Sequence, residues 1–248
     1  MVDETQDLRA EELRLLRQMA APGPNDMFLV GDAHQRIYGR PVVLTQCGIH
    51  VRGRSSKLRI NYRTTEEIRD WAVSVLEAQE VDDLDGEPDA QRDYQSLLHG
   101  EVPAVRNFAT PAEEQAFLVQ TLHGLLESAP AESICLVART NALLADDYAP
   151  ALARAGIPVT RLGRAAPYAA TPGVRLATMH RVKGLEFAHV LIAGVNDGIV
   201  PLDLTRFSVD DSELADTELR ERSLLHVAAT RARDTLTITS YGVRSRIL

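Results

Sequence analysis

The stretch Val174 to Phe187, VRLATMHRVKGLEF, places a hydroxyl (Thr178), an imidazole (His180), an ammonium (Lys183), a glycine (Gly184) and a carboxylate (Glu186) within nine positions. An alternating apolar run, Val174 and Leu176, leads into it as a short strand, and a second strand resumes from His189 to Ala193. Loops at strand ends are where open α/β sheets bind ligands. An ordinary solvated connection between two strands fits the same residues, because short motifs often match by chance.

Four more polar clusters carry comparable chemistry. In DETQD (Asp3 to Asp7), acidic side chains at a strand end can hold a divalent metal and polarise a water for nucleotide hydrolysis. Asp3 and Glu4 would then be the pair, one carboxylate for Mg²⁺ and the other as base. Alternatively, Asp3 caps a helix and Gln6 completes a capping box. The apolar run Met27 to Val30 reads as a buried parallel strand delivering Gly31, Asp32, Gln35 and Tyr38. Tyr38 suits either a base-stacking platform or half-buried packing. Tyr62 and Arg63 sit just before a helix capped by Thr64 or Thr65, a position that favours anions. Arg231 falls near the end of a helix spanning 216–233, where a cation also complements the helix dipole.

The elements needed to position these clusters alternate. Helices are expected at 11–20, from Thr65 to about Gln79, at Pro111–Leu126 (Pro in its first turn) and at Asn141–Ala155, which Gly156 closes. Strands are expected at Val102–Phe108, Ile134–Ala138 and Thr235–Thr239. Residues 80–100, rich in Asp and Gln, read as a surface insertion or linker. Alternating strands and helices imply an α/β fold built on a parallel sheet.

Composition narrows the class. Two cysteines, Cys47 and Cys135, lie far apart without metal-ligand spacing, which points away from a zinc site or a disulfide framework and towards a reducing cytoplasm. No apolar run approaches the roughly 18 residues of a membrane span. The formal charge of -8 is concentrated in residues 80–93 and 208–221, whereas Arg52, Arg54, Lys57, Arg59 and Arg63 form a basic run. Binding depends on the local patch, so the acidic total does not exclude DNA.

Taken in order, DETQD, GDxxQxxY, NYRT, TxHxxKGLEF and VAATRA resemble the motifs of superfamily 1A DNA helicases of the UvrD/Rep/PcrA type, over about residues 2–240. The resemblance implies a RecA-like parallel sheet flanked by helices. Residues 1–57 would be the C-terminal part of a first lobe and 58–248 a complete second lobe with an acidic insertion. It implies ATP and Mg²⁺ as cofactors and single- or double-stranded DNA as partner. Asp3 would ligand the metal, Glu4 activate water and Gln35 sense the γ-phosphate. Tyr62 would stack on adenine, while Arg63 and Arg231 would reach the γ-phosphate. Gly184 and Glu186 would lie against ribose and phosphates, and Tyr38, Thr178 and His180 against DNA.

Three departures shape the expectation. No GxxxxGK[ST] occurs, so the phosphate cradle is expected in a preceding N-terminal half of the same protein. The family's aromatic two residues after the motif tyrosine is Arg40 here. The distance from Arg63 to the central stretch leaves no room for a large accessory subdomain. The expected function is the C-terminal part of an ATP-dependent, 3′-to-5′ DNA helicase or translocase of repair or recombination, inactive as this chain alone. The competing classes are a non-catalytic nucleic-acid or protein-interaction module and the helicase portion of a helicase-nuclease.

Overall fold

The computed structural model describes residues 1–38, 42–76, 84, 94–163, 171–202 and 211–248, with side chains in the last helix from 217. Most of the chain is built on one six-stranded sheet. Its strands are β3 (Ala104–Phe108), β4 (Ile134–Ala138), β5 (Val159–Arg161), β6 (Val174–Thr178), β7 (Phe187–Ala193) and β8 (Ala232–Tyr241), in the spatial order β3-β8-β7-β4-β6-β5. Every neighbouring pair is parallel. A separate parallel pair joins β1 (Ile60–Thr65) to β2 (Gln95–Leu98).

Side-chain alternation divides the core between the sheet's two faces. Cys135 and Val137 of β4, with Val190 and Ile192 of β7, point into one cluster. Ile68, Ala72, Leu224, Leu225 and Ala228, from helices α2 (Glu66–Ser74) and α5 (Asp211–Ala229), fill it. Ile134, Leu136, Leu191 and Ala193 point the other way. They meet Leu118 and Leu122 of α3 (Pro111–Leu126) and Leu152 of α4 (Ala149–Arg154). Helix starts follow the sequence signals: the hydroxyls of Thr65 and Thr110 accept from Ile68 N and Glu113 N.

The N-terminal residues gather around a smaller core of Leu13, Leu44, Cys47 and Ile49, with α1 (Ala10–Met19) packed over it. Ile37 instead inserts into the large core beside Ile68.

Several expectations need correction. Residues 27–30 are not a buried strand. Leu29 makes a single parallel bridge to Val2, and Phe28 is 64% exposed, since a strand bridged on one edge alone has little to bury it. Helix 141–155 is present through Arg154, but its middle, Leu143–Tyr148, winds as a π-helix before α4. The strands β1, β2 and β5 were not expected; they are short and lack clear alternation. Tyr62 and Arg63 therefore lie on a strand. The expected helix end near Gln79, most of the 80–100 segment and Arg40 lie outside the described residues.

Candidate nucleotide and DNA site at the junction of the two cores

The link from β6 to β7 spans only residues 179–186, shorter than the usual crossover between parallel strands. It returns from the carboxyl end of one strand to the amino end of the next by burying Met179 and Val182 in the large core. Those anchors leave the polar positions between them pointing outward. Thr178 and His180 stand at the carboxyl edge of the sheet. Glu186 stands at the amino edge, one residue before β7. Gly184 has a φ of 78°, a left-handed conformation that favours glycine.

Arg231 is also at the amino edge. It was expected inside the last helix, but α5 ends at Ala229 and Arg231 occupies the turn into β8. Its Nε donates to the carbonyl of Val227 at 3.0 Å, which satisfies the helix end. Its Nη2 donates to Gln35 Oε1 at 3.2 Å. One guanidinium thus serves both the helix terminus and the site. Burial, then the neighbouring charge of Arg63, lowers its pKa to about 10, so it remains a cation at neutral pH.

Arg63 Nε lies 3.3 Å from Glu186 Oε2, with both side chains about half exposed. Asn61 shapes the irregular part of β1 that carries Arg63: its Oδ1 accepts from Arg63 N at 2.7 Å and its Nδ2 donates to Thr64 Oγ1 at 2.7 Å. Tyr62 is 70% exposed. At the N-terminus, Glu4 sits at φ 51° and ψ 40°, an uncommon conformation for a side-chain-bearing residue. Asp3 is exposed and accepts from Glu4 N through Oδ1. Gln6 forms no capping box; its amide turns to Glu4 and Asp32 instead.

Lys183 joins these parts, although sequence reasoning gave it no role beyond membership of the motif. Its Nζ donates to Asp7 Oδ1 and Oδ2 at 2.7 and 2.6 Å and to the carbonyl of Gln35 at 2.9 Å. It stands 3.6 Å from Glu4 Oε2 and 5.7 Å from the centre of the Tyr38 ring. The side chain is only 9% exposed. One signal was available: it is one of two lysines in an arginine-rich chain. Tyr38 and His180 approach with ring centroids 6.0 Å apart, making an aromatic pair across the junction. Burial and the Arg139 cation lower the His180 pKa, opposed by Glu221, so its imidazole is neutral at physiological pH. Arg139 is held by Glu221 in a bidentate pair at 2.8 and 2.6 Å.

The expected residues thus converge in two groups. In the first, Gln35 contacts Arg231, Arg63 pairs with Glu186, and Lys183 stands beside both Glu4 and the Gln35 carbonyl, while the charges of Arg63, Glu4 and Glu186 reach Arg231. Tyr38 and His180 form the second group, Thr178 ends the strand two residues before His180, and Lys183 lies between the two. A single exposed carboxylate, Asp3, suits Mg²⁺, which commonly takes one or two carboxylates and completes its shell with water and phosphate.

Comparison with known proteins bears on the family of the chain. The model of the UvrD-like helicase C-terminal domain matches residues 166–242. That of the UvrD/REP helicase N-terminal domain matches residues 1–40. A "Probable DNA helicase" of Mycoplasma pneumoniae is 27% identical over 256 residues, which cover 99% of this chain and 44% of that protein. The ATP-dependent DNA helicase PcrA of Staphylococcus aureus is 43% identical over 67 residues, 27% of this chain and 9% of that protein. The chain therefore spans less than half the length of these relatives. Among solved structures, the C-terminal domain of a possible DNA helicase from Lactobacillus plantarum superposes with a TM-score of 0.52. The identity there is 20%, over 75% of this chain and 91% of that one. Both domain models match in their proper order, so residues 1–40 and 166–242 are homologous to the N-terminal and C-terminal domains of UvrD-like DNA helicases.

Proposed function

We propose that these residues form the nucleotide-sensing and DNA-contacting part of an ATP-dependent DNA helicase or translocase, moving 3′ to 5′ in repair or recombination in the cytoplasm. The observation that carries the reading is the contact of Arg231 with Gln35, whose carbonyl meets Lys183 beside Glu4, together with the pairing of Arg63 with Glu186. Residues 1–57 act as part of a first lobe and 58–248 as the second. Phosphoryl transfer asks a protein mainly to place water and neutralise charge. Glu4 orients and deprotonates the attacking water. Arg63 and Arg231 neutralise charge on the transferred phosphoryl group, and Gln35 couples to Arg231. Tyr62 stacks on the base, while Gly184 and Glu186 lie against the sugar and phosphates. Asp3 would hold Mg²⁺, which would supply charge neutralisation to the phosphates. Tyr38, Thr178 and His180 line the path of single-stranded DNA, with Lys183 tying that path to Glu4.

The test is DNA-stimulated hydrolysis of Mg²⁺-ATP by the full-length protein. Single-stranded DNA is expected to accelerate turnover, with an affinity that falls steeply as salt rises. The 248-residue chain by itself, which carries no GxxxxGK[ST], is expected to be inert. Turnover by that chain, abolished by Glu4→Gln, would refute the assignment of its role.

A further inference from the structure

Gln6 is buried, and both ends of its amide are engaged. Its Nε2 donates to Glu4 Oε2 at 2.5 Å, and its Oε1 accepts from the backbone N–H of Asp32 at 3.0 Å. These partners dictate the orientation. An ionised carboxylate only accepts and a backbone N–H only donates, so a flipped amide would lose both bonds. Gly31 supplies the space: a Cβ there would stand 2.7 Å from Gln6 Oε1 and 3.3 Å from Thr5 Cβ. Glycine is needed at this position for close approach.

Glu4 requires such a restraint. Its backbone is left-handed and its side chain is about half exposed, so several rotamers would otherwise compete. We infer that Gln6 is the positioning residue that aims the Glu4 carboxylate, and that Gly31 is glycine in order to admit the Gln6 amide. The polar path continues beyond Gln6. Asp32 Oδ2 accepts from Gln35 Nε2 at 2.8 Å, and Gln35 Oε1 accepts from Arg231. Both glutamine orientations are therefore set by the same logic, and an unbroken hydrogen-bonded chain links Glu4 to Arg231 through Asp32.

The inference rests on Glu4 acting as the base, and its test separates the two. In the full-length protein, kcat and KM for ATP are measured with saturating single-stranded DNA. Gln6→Glu keeps an acceptor for Asp32 N but sets a like charge against Glu4. It is expected to lower kcat about 10²-fold while KM and DNA affinity change by less than about twofold. Gly31→Ala alone is expected to lower kcat similarly. In a Gln6→Ala background it adds less than about twofold, because the atom it strikes is gone. An unchanged kcat for Gln6→Glu overturns the proposal, as does a Gly31→Ala effect of equal size with and without Gln6. If Gln6→Ala fails to fold, Gln6→Glu alone decides. If Glu4→Gln leaves kcat intact, Glu4 is not the base and both readings fall. If Glu4→Gln abolishes turnover while Gln6→Glu does not affect it, only the Gln6 proposal falls.

Discussion

Replacing Lys183 by methionine tests whether this ammonium holds the N-terminal residues against the β6–β7 loop. The stem length is preserved while two bonds to Asp7 and one to the Gln35 carbonyl are lost. At 2.6 Å and an effective dielectric of about 20, the attraction to Asp7 is roughly 6 kcal/mol gross. Desolvation of a side chain only 9% exposed offsets much of that. What remains is on the order of 2 kcal/mol, as expected for hydrogen bonds between charged groups. The assay is amide hydrogen exchange at Thr5 and Val30, whose N–H groups bond to Val30 O and Val2 O. If the N-terminal residues open by breaking the Lys183 tie, Lys183→Met speeds their exchange by about 30-fold and leaves amides of β4 unaffected. Asp7→Asn produces a similar gain, and the double variant adds little to either. Additive single effects, within about 0.5 kcal/mol, would refute the reasoning.

Other perturbations probe separate parts of the molecule. Arg231→Ala is expected to reduce DNA-stimulated ATPase by about 10³-fold or more in the full-length protein while ATP still binds, and Arg231→Lys fails to restore it because lysine lacks the planar fork. Steady-state kinetics beside a nucleotide-binding titration checks both. His226 is buried, and Nδ1 donates to the carbonyl of Ala72 at 2.9 Å, joining α5 to α2. Burial lowers its pKa to about 4, so the neutral form favours the fold. The associated stability is complete above the unfolded value near 6.5 and is lost as pH falls towards 4, on the order of 3 kcal/mol in all. Urea midpoints measured from pH 7 to 4 would show a slope that flattens in His226→Gln. Glu114 is fully buried and accepts from Tyr148 Oη at 2.9 Å and from Gly194 N at 3.0 Å. Tyr148→Phe leaves that carboxylate one donor short and is expected to destabilise by about 1–3 kcal/mol in thermal or urea unfolding.

The sequence alone determined the parallel α/β class and the limits of α3 and β4, and it named as candidates most of the residues that gather near Arg231. Buried strands and capped helices are local patterns, and motif residues keep their spacing within each loop. Position on the sheet was another matter. Glu186 lies at the amino edge and Thr178 and His180 at the carboxyl edge because the short 179–186 link turns back through the core on Met179 and Val182, and Arg231 reaches the amino edge through the turn from α5 into β8. Partnerships were equally hidden. Lys183 meets Asp7 across 176 positions and Arg231 meets Gln35 across 196, and no local periodicity encodes such pairs. Gln6 read as a capping residue because a capping box is a local pattern. Only packing against Gly31 and Asp32 turned its amide towards Glu4, since a buried amide must satisfy both ends wherever the folded chain supplies partners.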